Sequence, residues 1–318
     1  MSRRGQTIED RFNAAKYTVL GQTLALTVCK ATTEELKRPK DKHLNYLTAC
    51  TYNSNCSMME LANLLIERTN HSNWIVVYKA LITVHHLMSK GSGRLIQHLA
   101  SSNYSFQLGG FLDRIVAKGY AMSPFIRRYS NYINHRALSY RTLAIDLCRV
   151  KRSEDNMMTT MTPDRLISTL GVIHTQLDAL LDFGATAREL NNSVISVSFV
   201  LLYRDASRLY AIYNDGIIQI IQKYFNFNDK KLCREALEAY KRFLNCTDRF
   251  MEFLKVAEAI NLSDVENTDF REAPSSLLDG FESHLSSLEN SKKRDKNHVI
   301  EAQHTIKNEP ETNILIEF

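Results

Sequence analysis

The sequence predicts an all-α protein, and three observations carry that prediction. Apolar residues recur at the 3.6-residue helical period along nearly all of the 318 residues. Only 11 Gly and 5 Pro punctuate the chain, too few for the turns an all-β fold of this length needs. The links between periodic runs are short and polar, as in Thr69-Asn70-His71-Ser72-Asn73 and Lys90-Gly91-Ser92-Gly93, which favours antiparallel neighbours. No fixed-period repeat of the tetratricopeptide or ankyrin kind is present, so the expected architecture is an irregular solenoid of stacked helices.

Taken in order, Thr7 can cap a first helix whose opening turn holds Glu9 and Asp10. Ile8, Phe12, Ala15 and Val19 form its apolar stripe, while Glu9, Asp10, Asn13 and Lys16 lie elsewhere. Packing on the domain is the commoner fate of such a helix, and lying in a membrane interface is the alternative. Thr32 and Thr33 before Glu34 and Glu35 read as a further helix start, and Pro39 can open the helix after it. Leu61, Leu64, Leu65 and Ile66 belong to a helix ending near Arg68. Trp74 to Met88 is apolar on almost every side, the pattern of a central helix covered by neighbours. Longer helices follow at Leu166 to Phe183, Asn192 to Phe225 and Ala236 to Ile260. Residues 262–275 lose the period and lead into a short last helix, Ser275 to Leu288. Beyond Asn290 the chain is polar, with Lys292, Lys293, Arg294 and Lys296, and is expected to be disordered.

Composition narrows the class. With 44% hydrophobic residues the chain can bury a large core, which excludes wholesale disorder. No stretch reaches the roughly 20 apolar residues of a membrane span. Met1 to Gln6 is charged and is followed by polar residues, not by the apolar core of a signal peptide. The six cysteines, at 29, 50, 56, 148, 233 and 246, have neither CxxC nor Cys/His metal spacing and read as reduced thiols of a cytosolic protein. A net charge of +5 permits an acidic partner without requiring one.

Catalytic motifs are missing: HExxH, the GxxxxGK[ST] phosphate loop, GxSxG and GxGxxG do not occur. His85 and His86 are adjacent, diverge by about 100° on a helix, and read as one core and one partly exposed histidine. The loop Lys90-Gly-Ser-Gly-Arg94 reads as an interhelical turn more readily than as an anion cradle. No metal, cofactor or enzymatic activity is expected. One constellation stands out. Lys30-Ala31-Thr32 is followed, after six residues, by Pro39-Lys40-Asp41-Lys42-His43, with Lys37 and Arg38 just before it. Lysines beside a helix N-terminus suit a phosphate group. On spacing alone, a solvated basic turn is the commoner outcome of such a run.

Together these pieces resemble the ANTH domain of the phosphatidylinositol-binding clathrin assembly proteins, the CALM and neuronal clathrin assembly family. The resemblance runs from about residue 6 to about residue 290, and its most specific part is Lys30-Ala-Thr-x6-Pro-Lys-x-Lys-His43. Cys29-Lys-Ala-Thr-Thr33, Leu81-Ile-Thr-Val-His-His-Leu-Met88, Phe125-Ile-Arg-Arg-Tyr129 and Leu177-Asp-Ala-Leu-Leu-Asp-Phe183 agree in type and order. So do Phe253-Leu-Lys-Val-Ala-Glu258 and Ala273-Pro-Ser-Ser-Leu-Leu-Asp279.

The resemblance implies an ENTH/VHS-like N-terminal part extended by longer helices, with boundaries at 1–20 for a membrane-inserting helix, 21–290 for the ANTH domain and 291–318 for a polar tail. It implies a non-enzymatic adaptor in clathrin-mediated endocytosis that binds phosphatidylinositol 4,5-bisphosphate on the inner plasma membrane, in coated pits and vesicles. Lys30, Lys40, Lys42 and His43 would be the headgroup contacts, and Ile8, Phe12, Ala15 and Val19 the inserting stripe. Clathrin and the plasma-membrane adaptor complex would be partners mainly through a longer tail; residues 291–318 contain no NPF or DPF. A synaptobrevin-type SNARE helix would take the place of the last helix, in a groove with Ile221 and Thr247, as in synaptic vesicle recycling. Two positions depart from the pattern: Asp41 stands where close relatives often carry lysine, and Thr247 where methionine is expected. The alternative is a helical interaction solenoid without lipid recognition. Nucleic acid is not expected, because the basic residues cluster at one turn instead of spreading over a face.

Overall fold

A computed structural model describes residues 22–102, 104–113, 117–150, 157–262 and 277–289, and all regular structure among them is helical. The order is α1 (Thr23–Ala31), α2 (Asp41–Tyr52), α3 (Met58–Thr69), α4 (Trp74–Lys90), α5 (Arg94–Ser101) and α6 (Ala117–Leu143). There follow α7 (Met157–Thr160), α8 (Pro163–Leu181), a 3-10 turn (Glu189–Asn191), α9 (Ser193–Tyr224) and α10 (Lys230–Ala259). Residues 277–289 form a last helix, α11. The first helix of the sequence reading, with Ile8, Phe12, Ala15 and Val19, and the tail at 291–318 lie outside the described residues. No helix among those described is long and apolar enough to cross a membrane.

Side-chain caps set the helix starts. The Ser57 hydroxyl accepts from the Glu60 amide at 3.2 Å, and Asn73, Asn192 and Asp229 accept from the amides two residues on at 2.9–3.0 Å. Each bond satisfies an amide that the helix itself leaves without a partner. The solenoid then grows by local packing: α1 lies on α2 and α3, α3 on α5, α5 on α6, α6 on α8, and α8 on both α9 and α10. Helix α4 is the hub, touching α1, α2, α3, α5, α6 and α9. That explains its sequence, because thirteen of its residues are buried, from Trp74 to Met88. Helix α9, of 32 residues, is about 48 Å long and spans the molecule. Gly216 lets it approach α8, since a Cβ there would fall 2.5 Å from Leu170 Cδ2.

A buried polar network ties α4, α6 and α9 together. Asp205 Oδ2 accepts from His85 Nε2 at 2.8 Å, Tyr132 Oη at 2.5 Å and Arg136 Nη1 at 2.7 Å. His85 Nδ1 lies 2.8 Å from the Tyr129 hydroxyl, and Arg136 also pairs with Asp146 at 2.9 Å. Burial lowers the His85 pKa, so the neutral ring donates from Nε2 and accepts from Tyr129. His85 is therefore the core histidine of the pair and His86 the half-buried one, as the sequence suggested.

Helix α11 docks where α9 ends and α10 begins. Phe281 is fully buried and stacks on Tyr224, with ring centroids 4.1 Å apart, and meets the edge of Tyr240 at 5.3 Å. Arg234–Glu289 and Lys241–Glu282 ion pairs, at 2.6 and 2.9 Å, flank the contact.

The structure corrects two local readings. No helix starts at Thr32 or Thr33: Thr32 closes α1, and residues 32–40 run without helix into α2. Pro39 does not open α2 either, because Lys40 is the capping residue and Asp41 the first helical one. Helix α6, which includes Pro124, is an element the period did not announce.

Candidate functional site

Two clusters of polar side chains could carry function, and solvent access decides between them. The His85–Asp205–Tyr132–Arg136 set has acid–base residue types, but all four are at most 3% exposed and their atoms serve one another. That cluster is structural. A hollow of about 190 Å³ between α5 and α6 has Tyr104, Ser105, Asn134, His135 and Arg141 in its lining, but Tyr104 bonds Asn63 and Asn134 bonds the Phe106 backbone. Among the described residues, no three His, Cys, Asp or Glu side chains are placed to hold a metal ion. The loop Lys90–Arg94 is a tied turn: Arg94 donates to the carbonyls of Asn53 and Cys56 at 2.6 and 3.1 Å, leaving no open cradle.

The remaining cluster faces solvent, at the junction of α1 and α2. Lys30 is exposed in the last turn of α1, Lys40 caps α2, and Lys42 and His43 sit in its first turn. These four residues, with Thr33 and Glu35, line one hollow of about 200 Å³. The structure thus brings the sequence-selected quartet together. His43 reports the resulting field: burial lowers its pKa first, then the charges of Lys42, Lys30 and Lys40 lower it further. A site that disfavours a fourth cation has room for an anion. The α2 N-terminus adds to this, since its first amides and dipole point the same way.

What sequence reasoning missed is the support beneath. Lys79, only 2% exposed, reaches from α4 and donates to Thr33 O at 2.8 Å, Thr33 Oγ1 at 2.9 Å and Glu35 O at 3.2 Å. Arg68, from α3, donates through Nε to Thr32 Oγ1 and through Nη2 to Thr32 O, both at 2.8 Å. The two cations hold the carbonyls of Thr32, Thr33 and Glu35, which would otherwise be free to start a helix. Lys79 carried a signal after all: it interrupts the apolar run Trp74-Ile-Val-Val-Tyr-Lys-Ala-Leu-Ile. A buried lysine in such a run has a specific acceptor set to meet.

Substituting Lys79→Met keeps the length and removes the donors. We expect a stability loss of about 1–3 kcal/mol from the stranded carbonyls. Hydrogen exchange at residues 33–37 should rise more than elsewhere, which mass spectrometry of the exchanged peptides would detect. An exchange pattern like the parent's would refute the supporting role.

Asp41 pairs with Arg38 at 2.9 Å, not with a lysine, and both partners are about two-thirds exposed at 64% and 63%. Of the proposed groove residues, Ile221 is half-buried one turn before Tyr224, near the seat of α11. Thr247 is buried two turns along α10 from Tyr240, where its hydroxyl donates to Phe243 O at 3.0 Å and lies 3.2 Å from Tyr210. Its polar group serves the α9–α10 seam.

The ANTH domain model matches residues 23–287 of the chain. The phosphatidylinositol-binding clathrin assembly protein LAP of Drosophila melanogaster is 51% identical over 304 residues, covering 92% of this chain and 65% of that protein. The human phosphatidylinositol-binding clathrin assembly protein is 50% identical over 291 residues, 92% of this chain and 44% of its own length. The human clathrin coat assembly protein AP180 is 48% identical over 288 residues, 91% of this chain and 32% of its own. The chain therefore spans between a third and two-thirds of these relatives. Among solved structures, the ENTH domain of epsin-2 in complex with phosphatidylinositol 4,5-bisphosphate aligns over 80% of this chain and 99% of its own, with TM-score 0.62 and 16% identity. At that identity the likeness supports the fold alone.

Proposed function

The chain belongs to the ANTH domain family, and from that premise we propose that it is a peripheral membrane adaptor of clathrin-mediated endocytosis that recognises phosphatidylinositol 4,5-bisphosphate. The observation that carries this reading is the convergence of Lys30, Lys40, Lys42 and His43 on one solvent-facing hollow. Lysine ammonium groups and a helix N-terminus bind phosphate monoesters by charge-assisted hydrogen bonds. The names of the relatives, which bind phosphatidylinositol and assemble clathrin, agree with it. In this reading the protein is not an enzyme, works on the inner plasma membrane in coated pits, and contacts clathrin and its adaptor complex mainly through sequence beyond this domain. Ile8, Phe12, Ala15 and Val19 would insert into the lipid once the headgroup is held. The further reading of a synaptobrevin-type SNARE partner rests on the α11 seat, a groove that accepts an amphipathic helix through Phe281 and flanking charges.

Vesicle sedimentation tests the proposal. Binding should depend on the 4,5-bisphosphate lipid and fall sharply when phosphatidylserine supplies the same total charge. Equal binding to both would leave only nonspecific attraction, and the interaction solenoid would take its place.

His43 gives the site a pH response whose sign is fixed. In the free protein its pKa is held below the ordinary histidine value, so at pH 7 the ring is neutral. A bound phosphate raises that pKa, so binding takes up a proton and strengthens as pH falls. The phosphates themselves protonate near pH ~6, which works in the opposite direction. Comparing the parent with His43→Gln cancels that term. The ratio of their affinities should grow severalfold between pH 7.5 and 5.5, and a constant ratio would remove His43 from the site.

A further inference from the structure

The hollow at the α1–α2 junction has two lobes, and the quartet picked out by the sequence lines only one. A second lobe of about 290 Å³ shares Lys30, Thr33, Glu35 and Lys40 as its wall and adds Lys37, Arg38, Pro39, Asp41 and Lys79. That half-open volume has room for a phosphate group. Building on the headgroup reading, we propose that this lobe is a second anion subsite. Lys37 and Arg38 hold one phosphate monoester there while Lys42 and His43 hold another, with Lys30 and Lys40 between them.

Charge and exposure both support the assignment. Lys30, Lys37, Arg38 and Lys40 are exposed cations, set against the carboxylates of Glu35 and Asp41. The Arg38–Asp41 pair is open to water on both sides, so it holds Arg38 weakly and a phosphate dianion can displace it. The freed guanidinium then offers its planar fork to two phosphate oxygens. The segment bearing both residues is not loose at its base. Lys79 and Arg68 fix Thr32, Thr33 and Glu35, and the Lys37 amide donates to Glu35 O at 2.7 Å. The competing view is that Lys37 and Arg38 are ordinary solvated charges that add only to the general field.

The second phosphate could come from the same inositol ring or from a neighbouring lipid. Titrations of Lys37→Ala with Arg38→Ala in the full chain distinguish these sources. Soluble inositol 1,4,5-trisphosphate, inositol hexakisphosphate and vesicles carrying the 4,5-bisphosphate lipid serve as probes. Vesicle affinity should fall about tenfold or more. A matching loss for the trisphosphate, and for the hexakisphosphate, assigns the second phosphate to the same ring, and unchanged values assign it to a neighbouring headgroup. Arg165→Ala with Arg188→Ala, at exposed positions on and after α8, removes the same charge elsewhere. Two results would overturn the subsite: vesicle binding within twofold of the parent, or an equal loss in the Arg165/Arg188 control. Failure of the headgroup reading itself looks different, because then reversing Lys40 and Lys42 would leave binding unchanged.

Discussion

Reversing Lys40 and Lys42 to glutamate should abolish bisphosphate-dependent recruitment while the domain stays folded. Each basic residue near an anionic surface contributes about 1 kcal/mol, so turning two attractions into two repulsions costs well over tenfold in affinity. The effect is confined to binding because both side chains are exposed and neither is placed in the core. Lys40 caps α2 through its backbone alone, with no side-chain bond to lose. Glutamate at both positions would even suit the positive end of the helix, so helicity and the thermal midpoint should match the parent. Sedimentation with bisphosphate vesicles and a circular dichroism melt are the two readouts. Parent-like binding would refute the headgroup assignment, whereas loss of helicity would mean that the turn is structural.

A second large effect is expected far from that surface, at Asp205. Burial alone pushes its carboxyl pKa up, but the Arg136 guanidinium, with His85 and Tyr132 as donors, holds it well below the usual carboxylate range. A carboxylate depressed in this way stabilises the fold fully above its ordinary pKa and loses that contribution only as pH falls towards the depressed value. Asp205→Ala leaves the buried Arg136 charge to Asp146 alone and strands the donors of His85 and Tyr132. Breaking a buried pair from one side costs about 3–5 kcal/mol, which lowers the thermal midpoint by about 5–8 °C. Adding Arg136→Met should recover little of the loss, since Asp146 then loses its own buried partner. A shift of under about 2 °C for the single variant would show that the network is not an anchor of the core. Vesicle binding measured well below the midpoint should be unchanged, because no network residue lines the basic hollow.

The long helices were legible because their apolar residues keep one phase over many turns, as in α8, α9 and α10. Helix α6 was not, because its inward face includes Arg136, Ser123 and Ser130, whose burial depends on partners in other helices. Pro124 adds a local signal against a helix that tertiary packing overrides. At the site, spacing put Lys40, Lys42 and His43 within one turn but by itself favoured a solvated basic turn, and the resemblance to the family signature singled them out with Lys30. The conformation of residues 32–35 was not legible. Thr-Thr-Glu-Glu is a good helix start by local rules, and it fails here because Arg68 and Lys79 bind the carbonyls. Those donors come from 36 and 46 residues away, a distance that local rules do not cover.

The stapling of that segment also bears on how fast the domain can act. Conformational entropy that a free loop would lose on meeting its ligand is here lost earlier, when the chain folds. On the proposed reading, encounter with a charged bilayer then needs no slow rearrangement. Its rate is set by diffusion in the field of Lys30, Lys37, Arg38, Lys40 and Lys42, and should climb steeply as ionic strength drops. Dissociation depends on the number of phosphates held at once. Arrival and residence are thereby separate properties of one rigid surface, the first governed by its charge and the second by its shape.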